Sequence, residues 1–253
     1  FDAAAGAFVS YLKLSPITSL LIAAMVILIY CLLGGFWAAS VTDTFQAILM
    51  IIAAITISSI TVIEAGGFEK VVKSLFLLDQ NYTKWSGGYT GFLLLGFLAG
   101  SIGIGIGTFG QPHLLARLMA VKGKKEIKLG FYIAIIWVII IYCAMAWLGL
   151  AARSLLTETQ VGEQIFYLMA EKLLPPILAG IVIASILSAV MSTVDSLLLA
   201  SSSAISYDLG LSKRYSIDEL ITSRLVMTAI VIAAIILALM LPDSIFNRVL
   251  FAW

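Results

Sequence analysis

Long apolar runs separated by short polar connections dominate the chain. An α-helix needs about 20 predominantly apolar residues to cross the hydrocarbon core of a bilayer. Runs of about that length cover residues 17–36, 44–64, 89–111, 129–152, 175–204 and 222–241, and a seventh begins near Ile245. The pattern predicts an all-α polytopic membrane protein, with residues 1–253 as a single transmembrane domain.

The fifth apolar run carries small and hydroxylated side chains on one helical face. These positions are Ser185, Ala189, Ser192, Thr193, Ser196 and Ser203. Such a stripe fits two roles equally well. It can face a polar target within the membrane, or its hydroxyls can bond neighbouring helices or their own backbone carbonyls. The Ala189 carbonyl and the Ser192 and Thr193 hydroxyls add a further clue, since three neutral oxygens suit a small hard monovalent cation. Asp195 is a functional candidate as an intramembrane acid, or it pairs with a neighbouring helix.

The fifth run also carries a family resemblance. The string Ala189-Val-Met-Ser-Thr193, followed by Asp195-Ser-Leu-Leu198, strongly resembles the sodium/solute symporters, in the helix that supplies half of their sodium site. The resemblance implies that Ala189, Ser192 and Thr193 bind Na⁺.

A second motif precedes and enters the second apolar run. In the string Leu33-Gly-Gly-Phe-Trp-Ala-Ala-Ser-Val-Thr-Asp-Thr-Phe-Gln46, Gly34 and Gly35 predict a tight turn and Asp43 stands where a helix begins. An acid there can be a helix cap, favoured by the helix dipole. The string also resembles the Gly-Gly…Thr-Asp…Gln signature of the same family. That resemblance implies that Asp43, like Asp195, is a secondary candidate for the sodium path.

Glycines recur through the third apolar run and lead to a proline. Gly96 and Gly100 fit close helix packing. Each interior glycine costs about 0.5–1 kcal/mol of helix stability relative to alanine. The dense glycines between Gly103 and Gly110, followed by Pro112, therefore predict a broken helix. The free backbone groups of such an unwound segment line a cavity.

The end of the third run resembles the sodium/proline branch of the family through Phe109-Gly-Gln-Pro-His113. Proline symporters have Trp and Tyr where this chain has Ile104 and Thr108, so the resemblance leaves the substrate open. It implies that the substrate contacts come from Gly103, Ile104, Gly105, Gly107, Thr108 and Gln111. As the lone histidine, His113 is expected to be structural rather than a proton relay.

Composition agrees with a membrane protein and limits the classes of binding partner. Of the 253 residues, 62% are hydrophobic and 11% are charged, where a soluble domain would have about 25% charged. The net charge of +1 argues against a nucleic-acid surface. Cys31 and Cys143 lie in apolar runs and are expected to be small core residues. Basic residues are densest between Arg117 and Lys128, which predicts that this connection is cytoplasmic.

The resemblance implies the inverted-repeat fold of sodium-coupled transporters, with ten core helices in two halves of five. The chain is then expected to hold core helices four to nine as the central part of a longer protein. The implied function is a sodium-coupled symporter in the plasma (inner) membrane for a small organic solute, with proline or a related amino acid first. Na⁺ is the coupling ion, and no organic cofactor is expected. The alternatives are a symporter for another solute, a transporter-like sensor with a signalling domain elsewhere, and a membrane enzyme, which the lack of a Cys/His cluster or Ser–His pair disfavours.

Overall fold

A computed structural model describes residues 4–6, 8–9, 13–79, 81, 84, 86–156, 164–212 and 217–240, and every regular element among these residues is helical. The elements are α1 Pro16–Glu64, α2 Phe68–Leu78, α3 Gly91–Phe109, α4 Pro112–Met119, α5 Lys124–Leu155, α6 Ile165–Leu173, α7 Pro176–Ser203 and α8 Glu219–Met240. A π-helical turn, Ala204–Asp208, continues α7. By length and composition α1, α3, α5, α7 and α8 can each cross a membrane. The predicted all-α, multi-span class is confirmed, while the seventh run near Ile245 lies outside the described residues.

Helix α1 contains two of the predicted spans. At 49 residues it would extend about 74 Å, well over twice the thickness of a bilayer core. The chain breaks at Gly35, whose φ of 61° and ψ of −173° are essentially restricted to glycine. The predicted turn is thus confirmed, but helix resumes directly after it. Asp43 therefore lies inside the helix, and its interpretation as a cap is wrong.

Helix α3 corrects the expected broken span. The segment from Gly103 to Phe109 is α-helical, and the chain leaves the helix only at Gly110 and Gln111 before Pro112 opens α4. The predicted unwinding between Gly103 and Gly110 is wrong. An unpaired backbone group in hydrocarbon costs several kcal/mol, whereas a helical glycine costs about 0.5–1 kcal/mol, so the helix persists.

The described chain forms two compact units, and the predicted single domain stays a prediction. The first unit comprises residues 1–49, 111–120 and 184–253. Small and branched side chains from three helices form its core, which lets the helix backbones approach closely. They include Ala23, Ala24, Ile27 and Cys31 of α1, Leu198 of α7, and Met227 and Val231 of α8.

The second unit comprises residues 50–110 and 121–183. Its core joins the end of α1 to α2 and α5, and Val71 of α2 is fully buried there. Phe68 packs edge-on against Trp147 with ring centroids 4.5 Å apart. The Ser58 hydroxyl donates to the Ala144 carbonyl oxygen at 2.5 Å. Cys143 is exposed on α5, so its expected core position is wrong.

Candidate functional site

Two of the three predicted sodium ligands lie together on α7. The Thr193 hydroxyl donates to the Ala189 carbonyl oxygen across 3.0 Å. Thr193 is exposed, while Ala189 and Ser192 are partly buried. A hydroxyl has one hydrogen and two acceptor lone pairs. Bonding to the carbonyl oxygen one turn back is common for a helical Thr hydroxyl, so the role of Ala189 and Thr193 as sodium ligands stays a prediction.

Ser196 continues the polar face one turn further along α7. Its hydroxyl oxygen lies 2.7 Å from the Ser192 carbonyl oxygen and 3.1 Å from Oδ1 of Asp195. The hydroxyl has one hydrogen, so it can donate to one of these acceptors at a time. The Ser192 carbonyl oxygen, as distinct from the hydroxyl predicted as a ligand, therefore shares the Ser196 hydrogen with the neighbouring acid.

An ion pair that the sequence analysis missed meets this face. The Arg117 guanidinium, on α4, donates from Nη2 to Oδ2 of Asp43 on α1 and to Oγ of Ser196 on α7. Charge-assisted hydrogen bonds of this kind are roughly twice as strong as neutral ones. The sequence analysis counted Arg117 among the cytoplasmic basic residues. The overlooked signal was Asp43 itself, because an acid in an apolar run requires a partner.

Two buried carboxylates share this one guanidinium network. Asp43 is 8% exposed and Asp195 is fully buried. Among the described residues, Oδ1 of Asp43 and Oδ2 of Asp195 have no hydrogen-bond partner. Removing an ionised carboxylate from water is costly unless positive charge or hydrogen bonds compensate for it. The arrangement therefore favours further positive charge near these two oxygens.

A hydrogen bond across the break in α1 positions Asp43. The Tyr30 hydroxyl, before Gly35, bonds the Thr42 hydroxyl, after it. Thr42 also donates to the Ala38 carbonyl oxygen at 2.9 Å. Since Thr42 directly precedes Asp43, this contact holds the acid at a fixed place relative to the first part of the helix.

A cavity of about 330 Å³ adjoins the ion pair within the first unit. Its lining combines Arg117, His113, Tyr207 and several serine hydroxyls with apolar side chains such as Phe36. Burial, and then the Arg117 charge, lower the pKa of His113. The imidazole is therefore kept neutral, and its Nδ1 has no partner among the described residues.

The predicted substrate residues are divided between the two units. Gly103 to Thr108 belong to the second unit, whereas Gln111 belongs to the first. Among the side chains of Gly91–Thr108 that the structure describes, none is buried. A Cβ atom added at Gly103 or Gly105 would meet no described atom within 4 Å. The side chain of Ile104 lies outside the described residues, and the substrate role of this set stays a prediction.

Comparison with known proteins identifies the family. The model of the sodium:solute symporter family matches residues 2–253, which is nearly the whole chain. The chain belongs to the sodium:solute symporter family. This family is one of transporters, and the predicted resemblance is confirmed.

Several curated relatives of this symporter-family chain are similar over nearly its full length. It is 34% identical to the sodium/proline symporter of Escherichia coli, covering 99% of this chain and 52% of the relative. It is 36% identical to the sodium/pantothenate symporter of Haemophilus influenzae, covering 93% and 50%. It is 30% identical to sodium/proline symporter 2 of Staphylococcus saprophyticus, covering 92% and 47%. The chain thus spans about half the length of these relatives, and no solved structure matches it.

Proposed function

We propose that the full-length protein is a sodium-coupled symporter that takes up a small organic solute across the plasma (inner) membrane. The family match over residues 2–253 carries this proposal. The adjacent oxygens of Ala189 and Thr193 on an apolar helix support it. Uptake against a gradient needs a coupled ion, and these oxygens fit that ion.

Na⁺ is the proposed coupling ion, with Ala189, Ser192 and Thr193 as its ligands from α7. These oxygens are neutral, and neutral oxygen ligands suit a hard monovalent cation. Asp43 and Asp195 lie further along the same polar network and are proposed to attract the ion on its path. Their negative charge raises the rate at which the cation arrives, while the neutral oxygens hold the ion in a defined place.

The solute is proposed to be a small carboxylate, with proline or a related amino acid first. Relatives of this chain are named for proline and for pantothenate, and both solutes carry one carboxylate. Gly103, Gly105, Gly107, Thr108 and Gln111, together with Ile104, remain the proposed contact set. A pantothenate-like solute is the second candidate, since that relative is about as similar to this chain as the proline symporters.

The membrane potential and the Na⁺ gradient supply enough free energy for solute accumulation, so no covalent step is needed. A membrane potential of about 100 mV supplies about 2.3 kcal/mol per charge. A tenfold Na⁺ gradient adds about 1.4 kcal/mol. With one Na⁺ per solute, the two together support roughly several-hundred-fold accumulation.

Uptake by the purified full-length protein in proteoliposomes tests the proposal. Labelled proline and labelled pantothenate are offered separately, with Na⁺, Li⁺ or H⁺ as the only gradient. We expect Na⁺-dependent accumulation of one solute, and competition by other small carboxylates. Solute binding that depends on Na⁺ but gives no flux would instead indicate a transporter-like sensor. Accumulation driven by H⁺ alone would overturn the choice of coupling ion.

A further inference from the structure

Only one of the two carboxylate oxygens of Asp43 takes part in the ion pair with Arg117. The guanidinium contacts Oδ2, while Oδ1 is buried with no hydrogen-bond partner among the described residues. A two-pronged guanidinium–carboxylate contact would satisfy both oxygens and is the more stable arrangement. The one-pronged contact is the weaker arrangement, so a second cation that approaches Oδ1 can compete with the guanidinium for the charge of the Asp43 carboxylate.

Arg117 is also the contact that holds its own short helix. Helix α4 has eight residues, and none of them is buried. Its arginine reaches α1 through Asp43 and α7 through Ser196. Withdrawal of the guanidinium would therefore remove these two polar contacts of α4. The Arg117 side chain is 36% exposed and borders the cavity of about 330 Å³, which has space to receive it.

The same guanidinium reaches the α7 backbone beside the predicted sodium ligands through one intermediate. Ser196 accepts from Arg117 and lies 2.7 Å from the Ser192 carbonyl oxygen. Positive charge on Arg117 therefore acts on two places at once: the Asp43 carboxylate and the polar face of α7. Both are the places where the proposed function needs a cation to approach.

We propose that Arg117 is a tethered counter-cation that neutralises Asp43 in the absence of the coupling ion and competes with that ion for the Asp43 carboxylate. The inference rests on the proposed sodium coupling and adds a role for Arg117 in setting apparent ion affinity. Arrival of the ion displaces the guanidinium, and departure of the ion restores the pair. Arg117 thus acts as a positioning residue for the ion through Asp43.

Opposite shifts in Na⁺ dependence distinguish this competition from a purely structural ion pair. Arg117→Gln removes the competitor and leaves the carboxylate, so the Na⁺ concentration for half-maximal uptake should fall. Asp43→Asn removes the attractor and leaves the guanidinium, so the same concentration should rise. Each shift should be at least about fivefold, because close charge pairs are commonly coupled by more than that. A structural pair predicts shifts of the same sign in both variants, or lower maximal rates at unchanged Na⁺ dependence.

The measurement is Na⁺-activated solute uptake by the full-length protein in proteoliposomes, normalised to the amount of reconstituted protein. Arg224→Gln is the matched control, since Arg224 is exposed on α8, and its Na⁺ dependence should equal that of the parent. Arg117→Lys retains the charge and should stay close to the parent. The double variant Asp43→Asn with Arg117→Gln buries no unpaired charge, and its half-maximal concentration should match that of Asp43→Asn, because Arg117 then has no carboxylate left to compete for.

The design remains decisive if Arg117→Gln does not fold, because the double variant and Asp43→Asn then carry the test. A double variant whose half-maximal concentration differs from that of Asp43→Asn would show that Arg117 acts on the ion independently of Asp43, and it would overturn the inference. An Arg117→Gln variant whose Na⁺ activation curve overlays that of the parent would also overturn the inference. Parental uptake that is independent of Na⁺ would instead overturn the proposed function, so the two failures are distinguishable.

Discussion

Helices α7 and α3 are both apolar enough to span a membrane, yet they differ in where their polar groups lie. The polar groups of α7 include side chains, among them the fully buried Asp195 and the Thr193 hydroxyl, which donates to the Ala189 backbone carbonyl oxygen. The polar capacity of α3 lies mainly in its glycine-rich backbone, whose groups are tied up in the helix. Helix α7 can therefore bind an ion without losing its fold, whereas backbone binding by α3 would require it to unwind.

Helices α7 and α3 also differ in the charged side chains that they carry or contact. Arg117, Asp43 and Ser196 meet at the face of α7 within the first unit. The residues from Gly91 to Thr108 contain no charged side chain. Charge attracts ions over a distance, while a neutral helix selects only by shape and contact. We therefore assign ion binding to α7 and leave to α3 a role in solute contact.

The largest effect is expected at the oxygen pair of α7. Thr193→Ala removes an oxygen that the apolar surroundings cannot replace, so apparent Na⁺ affinity should fall at least about tenfold, or more than about 1.4 kcal/mol. Ser192→Ala should act in the same direction. Thr193→Ser keeps the oxygen and should be mild. Na⁺ activation of uptake by the full-length protein is the measurement.

Thr228→Ala provides a matched control for this loss. The Thr228 hydroxyl donates to the Arg224 carbonyl oxygen at 2.9 Å, one turn back on α8. This geometry is the same as that of Thr193 with Ala189. The control should retain the Na⁺ affinity of the parent. Parental activation curves for both Thr193→Ala and Ser192→Ala would show that the ion binds elsewhere.

A smaller effect, of opposite sign, is expected in α3. Gly105→Ala adds a methyl group that meets no described atom within 4 Å. In a continuous helix the change should raise stability by about 0.5–1 kcal/mol, with uptake retained. Gly35→Ala is the contrasting control, because its backbone conformation is essentially restricted to glycine and alanine there should be destabilising. Thermal unfolding of the full-length protein in detergent measures both changes.

Uptake by the Gly105→Ala variant separates the two possible roles of α3. If stability rises and uptake is lost, the segment must leave the helix during transport. The comparison between α7 and α3 would then be incomplete, since α3 would also bind through its backbone in another state. Retained uptake would limit α3 to contacts made by a helical surface.

Local geometry explains which features of the site were predictable from sequence. The Thr193–Ala189 contact spans one helical turn, so identifying the helix was sufficient to predict it. The Asp43–Arg117 contact joins residues 74 positions apart, and its formation depends on the packing of three helices. The break in α1 was predictable because Gly34 and Gly35 are adjacent. The continuity of α3 was not, because it depends on the cost of unpaired backbone groups rather than on glycine content.

The smallest effect is expected at His113, which lines the same cavity as Arg117. Burial, and then the Arg117 charge, lower its pKa. The protonated form is therefore disfavoured, and the neutral imidazole is favoured in the pH range above the ordinary pKa of histidine. His113→Asn leaves the position neutral, so the pH profile of Na⁺-driven uptake should overlay that of the parent over this range. His113→Arg places a permanent charge beside Arg117 and should weaken apparent Na⁺ affinity. This variant is the positive control, because the weakening would show that the assay detects charge at this position. An inflection in the pH profile of the parent that is lost in His113→Asn would mean that His113 exchanges a proton during transport. The ion-binding region would then extend beyond α7 and Asp43 to α4.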